Sequence, residues 1–284
     1  MTERLADIGA RVQGIRQLGA VVSAMRGIAA ARAQQARGQV QAVETYSAIL
    51  AGAIRQAMAL LPATPASALR PGGLAMVLFC AEQGFAGAFS ERILAAAAPD
   101  LLTATLFLVG TRGTALAAER GLALAWSGPL PSQSSGIPRM ADGLAQALFT
   151  RIASGEITRL ETVFAAWQPG RPVEVERRVL FPLELARSEA PAPLVAPLLN
   201  LAPGVLLAAL TPDYVHAQLC RAGLQAFAAE NEARMAAMAA AHTEIERKLD
   251  RLQGQERIVR QEAITAEIIE LAAGDQAGRT EMVQ

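Results

Sequence analysis

Apolar residues recur at steps of three and four near both ends of the chain. In the first segment these positions are Leu5, Ile8, Val12, Ile15, Gly19 and Val22. In the last segment the same spacing runs from Met235 to Val259. Such spacing is typical of the seam of a coiled coil. All 15 prolines lie between Pro62 and Pro212, so both ends lack the residue that breaks helices most strongly.

The pattern therefore predicts two long helices, residues 1–61 and 212–273, which pair as an antiparallel coiled coil. Beyond Val22 the first seam continues through small or charged positions, namely Arg26, Ala29, Ala33 and Ala36. Beyond Val259 the second stripe moves by about one position, as a seam facing a different neighbour would. The displaced stripe is Ile264, Ile268 and Leu271, and a polar tail follows at 274–284.

The middle of the chain alternates between short apolar runs and helical patterns. Strands are predicted at 74–80, 105–110, 160–167 and 173–179, and helices at 90–98, 113–120 and 141–153. Ser90 is the expected N-cap of the first of these helices, and Gly121 the expected stop of the second. Alternation of this kind predicts a mostly parallel sheet. The predicted fold class is thus α/β, with a Rossmann-like domain of residues 74–200 inserted between the two helices.

Composition excludes several classes of function. The chain has 26 basic and 26 acidic residues, and this neutrality argues against binding nucleic acid by phosphate neutralisation. Cys80 and Cys220 are too few for a disulfide framework, and His216 and His242 lack neighbours at metal-ligand spacing. Lys248 does not follow a glycine-rich loop, so a P-loop is excluded. We expect no catalytic, cofactor-binding or metal-binding residues.

The N-terminus and the long uncharged run are both interpreted as parts of a soluble chain. Residues 1–4 lack the pattern of a signal peptide. The run Ala190–Pro212 is long enough to span a bilayer, but it carries five prolines and is expected to form loop, strand and the start of a helix.

A glycine turn follows the first predicted strand. Gly84-Phe85-Ala86-Gly87 stands between strand and helix, where nucleotide-binding folds carry their phosphate loop. The three-glycine fingerprint is missing, and Glu82 would lie beside any phosphate. A tight structural turn at Gly84 and Gly87 is therefore favoured over nucleotide binding.

Several blocks resemble, in the same order, the gamma subunit of F-type ATP synthases. Residues 230–238 are similar to that family's Ser-Glu-x-x-x-Arg-Met-x-Ala-Met signature. Residues 260–270 follow its Arg-Gln-x-x-Ile-Thr-x-Glu-x-x-Glu run, and 82–87 its Asp-Arg-Gly-Leu-Cys-Gly turn. Ala24 and Met25 match its Ala-Met pair. Departures such as Arg257 and Ala86, where the family has Asn and Cys, indicate a divergent branch.

The resemblance implies a rotating central stalk without catalytic residues of its own. Its implied partners are three alpha and three beta subunits, the epsilon subunit and the membrane c-ring, at the cytoplasmic face of the bacterial inner membrane. The residues implied to contact the alpha/beta hexamer are Met25, Arg26, Arg260, Gln261, Thr265, Glu267 and Glu270. The implied bearing is Ile264, Ile268 and Leu271. Met25 and the Arg260 region are expected to adjoin.

Two other classes of function remain open from the residues alone. One is a coiled-coil scaffold without energy coupling, and the other is an α/β enzyme that binds a small molecule and has helical extensions. The sequence leaves open proton or sodium coupling, the main direction of catalysis, regulation by epsilon and the role of the tail.

Overall fold

The computed structural model describes residues 2–61, 72–168, 173–183 and 199–281. The helices are α1 (Thr2–Ala59), α2 (Phe89–Ala97), α3 (Thr111–Glu119), α4 (Ile137–Ala153) and α5 (Pro203–Glu281). The strands are β1 (Gly73–Phe79), β2 (Thr105–Val109), β3 (Leu124–Gly128), β4 (Ile157–Ala166) and β5 (Glu174–Phe181). The chain divides into two compact units, Ala29–Arg234 and the two ends Met1–Ile28 and Met235–Gln284.

The five strands form one sheet in the order β3-β2-β1-β4-β5. β1 pairs in parallel with both β2 and β4, so that Val77 lies opposite Phe107 on one side and Thr162 on the other. β3 is also parallel, and β5 is antiparallel to β4. The mostly parallel sheet is confirmed. β3 was not predicted, because Leu124-Ala125-Trp126-Ser127-Gly128 is short and ends in residues with little preference for strand.

The sheet is covered on both faces, which explains why its central strands are continuous apolar runs. Val77, Phe79 and Phe107 are buried on the face covered by α4 and by the first part of α5. Leu78 and Leu108 are buried on the opposite face, against α2 and α3. Each fully buried side chain of this size contributes about 1.5–3 kcal/mol to folding.

The structure shows how three of the helices begin or end, and it corrects the prediction for Ser90. Ser90 is not the N-cap of α2; the helix begins at Phe89, and the buried Ser90 Oγ accepts a hydrogen bond from the Ala81 amide at 3.1 Å. α5 begins at Pro203, and Pro212 lies inside the helix. The stop at Gly121 agrees with its φ of 66°.

Within the unit Ala29–Arg234, α1 and α5 run antiparallel. The Gln218 side chain donates to Ser47 Oγ at 2.6 Å, and the Arg221 guanidinium pairs with Glu44 at 3.0 Å. Further along, Arg37 pairs with Glu232 and lies 3.6 Å from the centre of the Trp167 ring. The antiparallel helices of the predicted fold class are therefore confirmed.

The predicted domain bounds stay predictions; they are 1–61, 74–200, 212–273 and 274–284. The compact unit Ala29–Arg234 includes parts of both long helices. α5 continues as helix through Glu281, well into the predicted tail. The segment 184–198, which includes the first nine residues of the uncharged run, lies outside the described residues.

Candidate functional site

The first candidate surface lies on the helix pair formed by residues 4–28 and 235–272. Val12 and Val22 of α1 and Met238 and Val259 of α5 are buried in its seam. A Cβ atom placed on Gly19 would lie 3.3 Å from Ile245 Cγ2, so the missing side chain allows the two helices to approach closely. The predicted coiled-coil seam is present here.

The seam passes through Met25 and not through Arg26. Met25 is partly buried, whereas Arg26 is exposed, although the spacing placed Arg26 on the small-residue part of the seam. The alanines predicted to follow, Ala29, Ala33 and Ala36, are buried. The position of Arg26 in the predicted seam is therefore wrong.

The predicted proximity of Met25 and Arg260 is also wrong. Gly19 lies opposite Ile245, and the two helices run in opposite directions. Met25 therefore lies on one side of this contact along the helix axis, and Arg260 lies on the other side. At about 1.5 Å per residue the two side chains lie roughly 30 Å apart along the axis.

The last part of α5 continues beyond the first residue of α1. By the same register, Ala263 lies opposite the start of α1, so the following residues lack a helix beside them within the described part of this unit. The side chains of Ile264, Ile268 and Leu271 are 52%, 60% and 70% exposed. The bearing residues expected from the family thus form an apolar stripe on an unpaired helix end.

Polar residues border this stripe on both sides. Successive helical residues turn by about 100°, which places Gln261 and Thr265 along one edge and Arg260 and Glu267 along the other. Glu270 lies on the side of α5 that, nearer Ile245, packs against α1. The structure therefore collects five of the seven predicted contact residues on one exposed helix end. Met25 and Arg26, on α1, lie away from them.

The polar residues make only local contacts within the described chain. Arg260 Nη2 lies 2.7 Å from Glu256 Oε1, one helical turn earlier, and the Arg260 side chain is 59% exposed. Thr265 Oγ1 donates to the Gln261 carbonyl oxygen at 2.8 Å. An exposed pair one turn apart contributes about 0.3–0.5 kcal/mol, so Arg260 can leave Glu256 for another carboxylate or carbonyl at little cost.

The second candidate surface is the glycine turn that follows β1. Phe85 has a φ of 63° and Gly87 one of 59°, a left-handed conformation that is strained for Phe85. The Phe85 side chain is 68% exposed. The turn is held through Glu82, whose carboxylate accepts hydrogen bonds from the Thr111 amide at the start of α3 at 3.0 Å and from the Leu130 amide after β3 at 2.8 Å.

Glu230 of α5 binds the amides of this turn. Its carboxylate accepts a hydrogen bond from the Glu82 amide at 3.3 Å and another from the Gln83 amide. Arg234 Nη2 lies 2.5 Å from the other Glu230 oxygen, and both side chains are buried. In dinucleotide-binding folds the amides after the first strand donate to phosphate. Here the donors of Glu82 and Gln83 bind a carboxylate of the same chain.

Burial raises the pKa of the Glu230 carboxyl above its usual range, against the opposing effect of Arg234 and the two amides. The sequence did not predict the contact between Glu230 and the turn amides, although Glu230 and Arg234 both belong to the segment that resembles the family signature. The available signal was the Glu-Arg pair one helical turn apart inside an apolar stretch, which is typical of a buried and paired charge.

Comparisons with known proteins agree with one another. A family model described as ATP synthase matches residues 4–277. The ATP synthase gamma chain of Desulforamulus reducens is 27% identical, with 94% of this chain and 96% of the relative covered. That of Frankia casuarinae is 29% identical, with 98% of each covered.

Solved structures show the same fold. A chain from the Euglena gracilis mitochondrial ATP synthase OSCP/F1/c-ring structure in rotational state 3 matches with a TM-score of 0.66 and 13% identity, covering 98% of this chain and 95% of that one. The rotor structure of the same enzyme gives 0.65 at 11% identity, covering 93% of this chain and 100% of that one. Among the described residues, no helix is both long and apolar enough to cross a bilayer.

Proposed function

This chain belongs to the ATP synthase family as a gamma chain, and from that premise we propose that the end of α5 is where it engages a ring of alpha and beta subunits. The carrying observation is the unpaired helix end with its apolar stripe, Ile264, Ile268 and Leu271, bordered by polar side chains. An apolar stripe left in water is typical of a surface that another subunit covers.

The helix pair supplies a shaft, and the catalytic chemistry belongs to the partners. Among the described residues no group of three or more His, Cys, Asp or Glu side chains is placed to hold a metal ion. Coupling then comes from differential binding: each orientation of an asymmetric shaft favours a different state of the surrounding catalytic sites. The gamma chain contributes shape and a few polar contacts.

Arg260, Gln261, Thr265, Glu267 and Glu270 are the contacts we assign to the hexamer, together with Met25 and Arg26 further along α1. A guanidinium that makes charge-assisted hydrogen bonds contributes about 1.5–3 kcal/mol. Such a contact biases which catalytic site opens without preventing rotation. The remaining partners are the epsilon subunit and the c-ring, and the complex lies on the cytoplasmic face of a bacterial inner membrane.

Co-purification tests this function. A tag on the full chain is expected to recover alpha and beta subunits at one gamma chain per three of each, because one shaft serves three catalytic pairs. Recovery without them, or with a scaffold's variable stoichiometry, would contradict the proposal. A complex of the correct stoichiometry whose ATP hydrolysis drives no ion pumping would contradict the coupling role.

A further inference from the structure

Side chains of α5 reach the edge of the sheet where its parallel strands end. The strand order β3-β2-β1-β4-β5 reverses at β1, because β2 and β3 extend the sheet on one side of β1 and β4 lies on the other. In doubly wound sheets the carboxyl ends of the two strands at such a reversal border the crevice that binds a ligand. Here the residues that follow β1 and β4 donate hydrogen bonds to side chains of α5. Donors at the usual ligand position therefore hold a helix of the same chain.

Two residues of α5 accept these hydrogen bonds. Glu230 accepts from the amides of Glu82 and Gln83, which follow β1. Gln225 Oε1 accepts from the amide of Trp167, the residue after β4, at 3.2 Å. The two acceptors are five residues apart, so α5 is bonded to two neighbouring strand ends at points about 7.5 Å apart along its axis.

The contact at Glu230 continues into the rest of the domain. The Glu82 carboxylate accepts from the amides of Thr111 and Leu130, which lie beyond the ends of β2 and β3. On the side of the helix, Glu230 pairs with Arg234, and the two residues are 2% and 6% exposed. A continuous set of charge-assisted hydrogen bonds thus joins α5 to the carboxyl ends of three strands.

Apolar packing holds the same part of α5 against the sheet. Leu219 and Phe227 are buried in one cluster with Val77 and Phe79. Hydrophobic attraction has no preferred direction, so it restrains rotation of the helix about its own axis only through the fit of the side chains. Hydrogen bonds weaken steeply when their angle is distorted, so the bonds at Glu230 resist this rotation directly. A single buried polar residue fixes the register of many coiled coils in a similar way.

We propose that Glu230 is a positioning residue that fixes the rotational setting of α5 against the sheet, so that the helix and the α/β domain turn together. This inference rests on the function proposed above, because only a rotating stalk has to carry torque between these two parts. Glu230 carries part of that torque through its bonds to the turn amides. Loss of these bonds makes the joint between helix and domain more compliant.

Single-molecule rotation of the purified complex that contains the full chain tests the proposal. A bead is attached to the α/β domain through Leu102→Cys, because Leu102 is 91% exposed and the native Cys80 and Cys220 are buried. The angular spread of the bead at each catalytic pause measures the compliance between the domain and the hexamer. We expect Glu230→Gln, which replaces one acceptor oxygen with a donor, to widen this spread while the complex still assembles and hydrolyses ATP.

Glu161→Gln is the matched control. Glu161 is also a buried carboxylate of this domain, but its partner Arg177 lies on β5 and not on α5. The control is expected to keep the wild-type spread although it destabilises the domain. Equal widening by Glu161→Gln and Glu230→Gln would show a general loosening of the domain and overturn the positioning role.

Glu230→Asp is a second variant, which keeps the charge beside Arg234 but shortens the side chain that reaches the turn amides. We expect it to widen the spread as well. A wild-type spread in both Glu230 variants overturns the proposal, and widening in the Gln variant alone overturns the part assigned to the amides. Failure of the wild-type chain to bind alpha and beta subunits, or to rotate among them, would instead contradict the proposed function.

Discussion

Arg260 and Gln261 lie beside the apolar stripe at the end of α5, with no long-range contact that holds them within the described chain. Replacing both with alanine is expected to leave the helix pair intact, because the Arg260–Glu256 pair is exposed. In the assembled complex the same change is expected to reduce the ratio of ion pumping to ATP hydrolysis, or to weaken assembly. Both rates are measured in reconstituted vesicles.

The matched control replaces Glu174 and Glu176 of β5 with alanine, which removes two carboxylates far along the chain from α5's end. The control is expected to keep the wild-type pumping ratio. If the Arg260/Gln261 variant also assembles and pumps at that ratio, the assignment of these residues to the hexamer contact is wrong.

Glu161 is a buried carboxylate on β4 that pairs with Arg177 on the edge strand β5. Burial alone would raise its pKa, but Arg177 and Arg159 both donate to it and together hold the pKa below its usual value. The Arg159 bond measures 2.6 Å. A lowered folded-state pKa contributes stability above the unfolded pKa, and this stability is lost as the pH falls through the folded one.

Glu161→Gln is therefore expected to cost about 1–2 kcal/mol at neutral pH, after screening at the half-exposed arginines. Hydrogen exchange of β4 and β5 amides in the full chain should speed up by roughly five- to thirtyfold. The difference from wild type should vanish in acid, below the folded pKa of Glu161. Glu156→Gln, at the more exposed Arg151 pair, is the control and is expected to change exchange little. A difference that persists in acid would contradict the assignment.

At the scale of elements, the register of the helix pair, with Gly19 opposite Ile245, can be tested directly. Cysteines at positions 19 and 245 are expected to form a disulfide on mild oxidation, because a Cβ atom at position 19 lies 3.3 Å from Ile245 Cγ2, which is one bond from the Cβ of residue 245. Cysteines at positions 24 and 259 are expected to stay reduced. The native Cys80 and Cys220 can remain, since both are buried and burial raises the pKa of each thiol to about 12. The converse outcome, detected by mass spectrometry, would reject the register.

Periodicity predicted the elements well and their relative positions poorly. The long helices, the central strands and the exposed stripe at Ile264 follow from local spacing, because burial on one face is visible in one segment alone. The register that separates Met25 from Arg260 depends on side chains of two distant segments, which no single stretch reveals. The same is true of Ser90, whose hydroxyl is directed to Ala81 by the surrounding fold.

At the scale of the whole molecule, the exposed stripe should matter for assembly and not for folding. Replacing Ile264, Ile268 and Leu271 with serine is expected to leave thermal unfolding of the full chain nearly unchanged and to raise its solubility. Recovery of alpha and beta subunits is expected to fall, because the apolar area they would cover is lost. Circular dichroism and co-purification measure the two effects.

Val259→Ser is the matched control one turn earlier on the same helix. Val259 is 5% exposed in the seam, so its replacement is expected to destabilise the pair by about 2 kcal/mol. Equal thermal destabilisation by the stripe variant would show that the stripe is part of the folded core and not a free surface.

The position of the Glu230 carboxylate affects whether the glycine turn can bind a nucleotide. Cells contain abundant ATP and ADP. A rotor whose conformation depended on binding these nucleotides would change with their concentrations instead of only transmitting force. Because the Glu230 carboxylate already accepts hydrogen bonds from the two turn amides, those donors are not free to bind a phosphate. A nucleotide would therefore have to displace the Glu230 carboxylate before its phosphate could bind at this turn.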